Sequence, residues 1–89
     1  MLKTIEEIEE WLKLYNIENF TILEDLSVDV HGNVNLYNKK LTHIPIQFGT
    51  VNGYFYCSDN SLTSLQGAPR EVGGNFYCDN NSLTTFILP

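Results

Sequence analysis

The stretch VNGYFYCSDNSLTSL, residues 51–65, returns 21 residues later as VGGNFYCDNNSLTTF, residues 72–86. Val51 maps to Val72, Gly53 to Gly74, Phe55 to Phe76, Cys57 to Cys78 and Leu62 to Leu83. The same offset applied upstream lands on Val30, Gly32, Val34, Leu36 and Leu41, so VHGNVNLYNKKLTHI is a diverged first copy. Leu41-Thr42, Leu62-Thr63 and Leu83-Thr84 share one register and are followed by Ile44, Leu65 and Phe86. Three copies in phase place the chain among repeat proteins before any secondary structure is assigned.

A period of 21 falls within the range of leucine-rich repeats, whose core phrase is LxLxxNxL. Here the phrase reads FYCSDNSL and FYCDNNSL, with Asn60 and Asn81 in the Asn slot; the first copy, VNLYNKKL, has Lys39 there and Asn38 one residue early. Each copy is expected to supply one short strand of alternating character. The returns TSLQGAPRE and IPIQFGT carry Gly and Pro without helical periodicity, and read as irregular or short 3₁₀ turns. Successive strands joined by such returns would lie parallel.

The texture before the repeats is different. Thr4 to Glu7 spell a capping box, in which the Thr hydroxyl accepts from a backbone N–H three residues on and the Glu reaches back. Ile5, Ile8, Leu12 and Tyr15, widened by Trp11, form an apolar stripe at helical spacing, and Asn16 is a C-terminal stop. Residues 20–22 and 26–30 alternate like strands around a turn at Leu23-Glu24-Asp25. The expected fold is therefore an α+β repeat in a single domain: a short leucine-rich-repeat-like solenoid with parallel strands. Residues 1–29 would form an N-terminal helix-and-strand cap, and 30–50, 51–71 and 72–89 the three repeats.

IEEWLKLYNIENFTI, LSVDVHGNVNL and IPIQFGTVNGYFYCSDNSLTSLQGAPREVGG together resemble the small leucine-rich-repeat proteins of tailed bacteriophages, in which a helical cap leads into repeats of the form VxGxFxCSxNxLTSLxGxPxE. The chain departs from longer members by ending on TTFILP. The resemblance implies a non-enzymatic protein of the infected host's cytoplasm. Small phage proteins of this size often bind and block a host protein, defence components included.

Net charge is −6, and all of the excess lies in residues 1–30, where eight acids face Lys3 and Lys13. The remainder balances Asp59, Glu71 and Asp79 against Lys39, Lys40 and Arg70. Nothing here would hold nucleic-acid phosphate or an anionic membrane, both of which need basic clusters. The acidic N-terminus does not read as a signal peptide, and no apolar run is long enough to span a bilayer. Cys57 and Cys78 lack CxxC spacing, and His31 and His43 sit in no nucleophile or metal phrase, so no cofactor, metal or catalytic group is expected. The cysteines read as small buried hydrophobes on adjacent copies.

With Val, Gly, Phe and Cys positions inward, the alternate residues form an outward grid: His31, Asn33, Asn35, Tyr37; Asn52, Tyr54, Tyr56, Ser58; Gly73, Asn75, Tyr77, Asp79. Four of the five tyrosines fall on it, and no Lys or Arg does. Tyr among Asn, Ser and Gly is the composition of evolved binding surfaces, although stacked tyrosines also stabilise sheets. Partner contacts are expected at Tyr54, Tyr56, Tyr77, Asn75, Tyr37 and Asn35. A competing reading makes the acidic face of Glu6, Glu7, Glu9, Glu10, Glu24 and Asp25 a nucleic-acid-mimicking decoy. A third makes Phe86, Ile87 and Leu88 the contact of a self-associating structural protein, a homodimer through its C-terminal end.

Overall fold

A computed structural model describes residues 1–84. Within them the chain opens with helix α1 (Ile5–Leu14) and continues through seven short strands: β1 (Phe20–Ile22), β2 (Ser27–Val30), β3 (Val34–Asn35), β4 (Gln47–Val51), β5 (Phe55–Tyr56), β6 (Glu71–Val72) and β7 (Phe76–Tyr77). The helix starts where its side chains satisfy the free amides of its first turn. Thr4 Oγ1 accepts from the Glu7 N–H at 3.2 Å, and Glu7 Oε1 accepts from the Thr4 N–H at 3.2 Å. It stops at Tyr15, after which Asn16 takes φ 57°, a left-handed conformation that Asn tolerates. Ile8 and Leu12 are buried, and Trp11 packs its ring 6.3 Å from Phe48, whereas Ile5, at the exposed start of the expected stripe, is 52% exposed.

The expected leucine-rich-repeat-like solenoid is corrected by the strand topology. Over the described residues the molecule is a small α+β domain with one helix and two sheets, and one sheet is mixed. The four-stranded sheet has the order β1-β2-β4-β6; β1 runs antiparallel to β2, and the remaining pairs are parallel. The three-stranded sheet, β3-β5-β7, is parallel throughout. Each copy thus gives one strand to each sheet rather than a single strand to one face. The reason is local: the chain bends at residues 31–32, 52–53 and 73–74, between the Val that closes the first strand and the residue that opens the second. The returns are bends and turns without helix, and the principal extents, 30 × 25 × 24 Å, are nearly equal.

Strand registers carry the 21-residue offset: Val34↔Phe55↔Phe76 in one sheet, Val51↔Val72 in the other. It fails at one place. Val28 pairs with Phe48 but Val30 with Val51, so β4 holds an extra residue opposite Asp29. This is a β-bulge, which lets one strand gain a residue on its partner. Asp29 Oδ1 accepts from the Thr50 N–H at 2.9 Å, and Gly49 leaves the space this carboxylate fills. The bulge joins the N-terminal hairpin to the phase of the repeats.

The core lies between the sheets and under α1. Phe48, Phe55, Leu36, Ile46, Leu62, Val28, Val34, Val51 and Cys57 are all fully enclosed. Phe55 meets Phe48 edge-on at 5.2 Å and stacks on Phe76 at 5.7 Å. Burying a Phe of this kind contributes about 1.5–3 kcal/mol. The third copy is less covered: Phe76 is 37% exposed, and Val72, Cys78 and Leu83 are only half-buried.

Candidate functional site

Turns that lock one copy to the next position the outward face. Asn38, Asp59 and Asn80 occupy the same place in the three copies and all take left-handed φ, 54°, 56° and 55°. Short polar side chains are the non-glycine residues best suited to that conformation. One residue after Asp59, buried Asn60 turns its amide inward. Its Oδ1 accepts from the N–H groups of Lys39 (3.0 Å) and Leu41 (2.9 Å), and its Nδ2 donates to the carbonyls of Leu36 (2.7 Å) and Cys57 (2.9 Å). Asn81 repeats the pattern against Leu62, Cys57 and Cys78. The Asn slot therefore ties each copy to the one before it. Lys39, in the slot of the first copy, takes part through its backbone instead.

This ladder presents the tyrosines. Tyr54 and Tyr56 stack at 4.0 Å and 19°, and Tyr56 meets Tyr77 of the next copy at 4.9 Å and 36°. Tyr37, Tyr56 and Tyr77 come from the three successive copies and, with Ser58 and Asp79, line an open groove of about 610 Å³. Tyr37 and Tyr77 are about half exposed. Ser58, buried, donates its hydroxyl to Asp79 Oδ1 at 2.6 Å. Asp59 stands beside Tyr37: hydrogen bonding to its carboxylate, then repulsion by its charge, raises the Tyr37 phenol above its ordinary pKa.

Of the six residues expected to contact a partner, three share this groove: Tyr37, Tyr56 and Tyr77. Tyr54 flanks it through its stack on Tyr56. Asn75 lies outside the groove lining, its carbonyl accepting from the Phe55 N–H at 2.8 Å. Asn35 is turned to its own loop, Oδ1 accepting from the Tyr37 N–H at 3.0 Å. Ser58 and Asp79 complete the groove, with Asp59 beside Tyr37; Ser58 and Asp79 belong to the expected outward grid though not to the six expected contacts, and Ser58 is buried rather than outward. The available signal was that Asp59, Glu71 and Asp79 are the only acids after residue 30, and that Asp79 is in phase with Ser58 on the grid that carries the tyrosines.

The other end of the grid is quieter. His31 bridges Thr21 (Oγ1 to Nε2, 3.4 Å) and Asn52 (Nδ2 to Nδ1, 3.5 Å), and Asn33 Oδ1 accepts from the Tyr54 N–H at 3.0 Å. A second concavity, of about 460 Å³, lies between the end of α1 and β1, where Glu9 and Glu18 alternate with Lys13. Its mixed charge and its lack of any aromatic but Phe20 make it a less selective surface.

The acidic residues fall into two groups. Glu7 is held by its capping box, whose donors, Lys3 N–H first and then the Thr4 hydroxyl, lower its pKa. Asp25 accepts from the Ser27 hydroxyl at 2.6 Å and N–H at 3.0 Å, which lowers its pKa, and it pairs with Arg70 at 3.9 Å. Glu6, Glu9, Glu10 and Glu24 are exposed. Phe86, Ile87 and Leu88 lie outside the described residues. Both cysteines are free, and burial, followed by repulsion from Cys78 and Asp79, pushes the Cys57 thiol up to about 12. Among the described residues, no helix is long and apolar enough to cross a membrane.

Compared with known protein families, with curated proteins and with solved structures, the chain matches none.

Proposed function

We propose that this chain is a non-enzymatic protein-binding module whose tyrosine face docks on a partner protein. One observation carries the reading: Tyr54 stacks on Tyr56, Tyr56 meets Tyr77 of the next copy at 4.9 Å, and Tyr56 and Tyr77 join Tyr37 in an open groove. Tyr supplies large amphipathic contact area at low entropic cost, and here its rings are already ordered by their neighbours and by the Asn ladder beneath.

The resemblance of the repeat phrase to small phage proteins supplies the setting: a host protein as partner, in the cytoplasm of an infected bacterium, with inhibition of that protein as the consequence. The test is capture from host lysate with the wild-type chain and with Tyr56→Ala and Tyr77→Ala. One host protein retained by the wild type at low and moderate salt, and lost with either variant, supports the reading. Retention that survives both variants overturns it. Retention only at low salt, spread over nucleic-acid-binding proteins, would favour the acidic decoy.

A further inference from the structure

The tyrosine groove carries an electrostatic sign that its composition alone does not announce. Its walls are the rings of Tyr37, Tyr56 and Tyr77, and its polar margin is Asp79, with Asp59 adjoining Tyr37. Asp79 has committed one oxygen, Oδ1, to the Ser58 hydroxyl at 2.6 Å. Among the described residues the one ion pair joins Arg70 to Asp25, so neither Asp59 nor Asp79 has a cationic partner there. No Lys or Arg of the described residues lines the groove. Three tyrosine rings and the carboxylate of Asp79 line one volume, Asp59 lies beside Tyr37, and no described cation neutralises them there.

Resting on the protein-binding reading above, we propose that this groove receives an arginine side chain of the partner protein, its guanidinium against the tyrosine rings and paired with the carboxylates of Asp79 and Asp59. Three properties select arginine. Its planar cation stacks on an aromatic face, it is more weakly hydrated than an ammonium and so is more easily brought against apolar walls, and its forked donors suit a carboxylate. Tyr37 and Tyr77, each about half exposed, offer ring surface to the groove, and Asp79 lies two residues beyond Tyr77 and lines the same groove. Beside the groove, the Asp59 carboxylate raises the Tyr37 phenol above its ordinary pKa, first by hydrogen bonding and then by its charge, to which Asp79 adds. A neutral side chain would forgo the ion pair and the cation–π attraction, and an acidic one would be repelled.

The test uses the full chain and two blocked tripeptides, acetyl-Gly-Arg-Gly-amide and the same peptide with citrulline, which keeps the shape of arginine and removes its charge. Titrations are followed by the backbone amide signals of Tyr56, Tyr77 and Asp79. The expected result is half-saturation at about tenfold lower concentration for arginine than for citrulline, from cation–π and ion-pair contributions together. A lysine peptide should fall between them. The double variant Asp59→Asn/Asp79→Asn should reduce the difference to the cation–π part that the tyrosine rings still supply; it preserves size, and the amide carbonyl introduced at position 79 can still accept from the Ser58 hydroxyl. Equal titration by arginine and citrulline, shifts confined to other residues, or an undiminished response of the double variant would each overturn the proposal. Lysate capture separates this failure from that of the broader reading. If Tyr56→Ala loses the partner while Asp59→Asn/Asp79→Asn retains it fully, the arginine proposal falls and the tyrosine face stands. If both retain it, both fall.

Discussion

Tyr56 and Tyr77, 21 residues apart in sequence, are direct partners across parallel strands, with rings 4.9 Å apart at 36°. Their contact is a consequence of the repeat, because any two residues in phase are brought side by side by the same register. Removing either ring should therefore change binding more than folding. Tyr56→Ala is expected to cost about 1 kcal/mol of stability from the lost cross-strand pair, while partner capture falls below detection. Urea unfolding alongside capture checks both; a variant that fails to fold would assign Tyr56 to the scaffold instead.

The charge of α1 makes an independent prediction. Glu6, Glu9 and Glu10 are exposed, and none lines the tyrosine groove. Replacing the three by Lys should leave retention of the partner unchanged at moderate salt. Abolition of capture by these substitutions, with Tyr56→Ala still active, would hand the function to the acidic face.

Asn60 and Asn81 perform the same bonding at different depths, and their substitutions should reflect it. Asn60 is 9% exposed and makes five hydrogen bonds to backbone groups, including the N–H groups of Lys39 and Leu41. Asn60→Ala strands several of these groups away from water, for an expected loss of about 3 kcal/mol. Asn81 is half-buried in the less covered third copy, and Asn81→Ala should cost about 1 kcal/mol. Chemical denaturation reads the difference, and equal losses would contradict the burial argument.

Asp29 and Gly49 form a coupled pair at the bulge. A Cβ on Gly49 would collide with Asp29 Oδ1, and its next nearest neighbours are at ordinary contact distance, 3.5 and 3.7 Å. Gly49→Ala alone should destabilise the fold. In Asp29→Ala/Gly49→Ala the obstacle is gone, so the double variant should lose less than the sum of the single losses, by about 1 kcal/mol or more. Additive losses would mean that backbone conformation, rather than this collision, fixes glycine there.

Thiol chemistry should separate the two cysteines. Burial raises both thiols, Cys57 from its ordinary 9.0 to about 12, and Cys78 in the same direction with less enclosure. A disulfide reagent at pH 8 should label Cys78 first and reach Cys57 only on global unfolding, because the thiolate is the reacting form. The linked stability has a definite sign. A folded-state pKa above the unfolded value gives stability that is fully present below pH 9.0 and is lost as pH rises towards about 12. A flat unfolding free energy across that window would show that Cys57 does not hold its proton in the folded state.

Much of this was legible in the residues. The capping box at Thr4, the stop at Asn16 and the 21-residue strand register could be read in advance, because each rests on chemistry within a few residues or on an exact recurrence. The division of every copy between two sheets was not. Alternation of Val, Gly, Phe and Cys looks the same whether the strand runs straight or bends in the middle, and the bends at Asn52-Gly53 and Gly73-Gly74 depend on backbone packing against the preceding copy. The groove was half legible: the tyrosines and Asp79 shared an outward grid by alternation, whereas Asp59 acquired meaning only when the turn set it beside Tyr37.

The sequence by itself determined the period, the helix with its ends and the strand pair that follows it, since these follow from local propensity and from repetition. The tertiary structure alone decided the division of the strands between two sheets, the bulge at Gly49 that brings β2 into phase, and the gathering of Tyr37, Tyr56, Ser58, Tyr77 and Asp79 around one groove. Those outcomes depend on how separate copies pack and on which buried polar groups find partners, and no window of sequence contains both sides of such a contact.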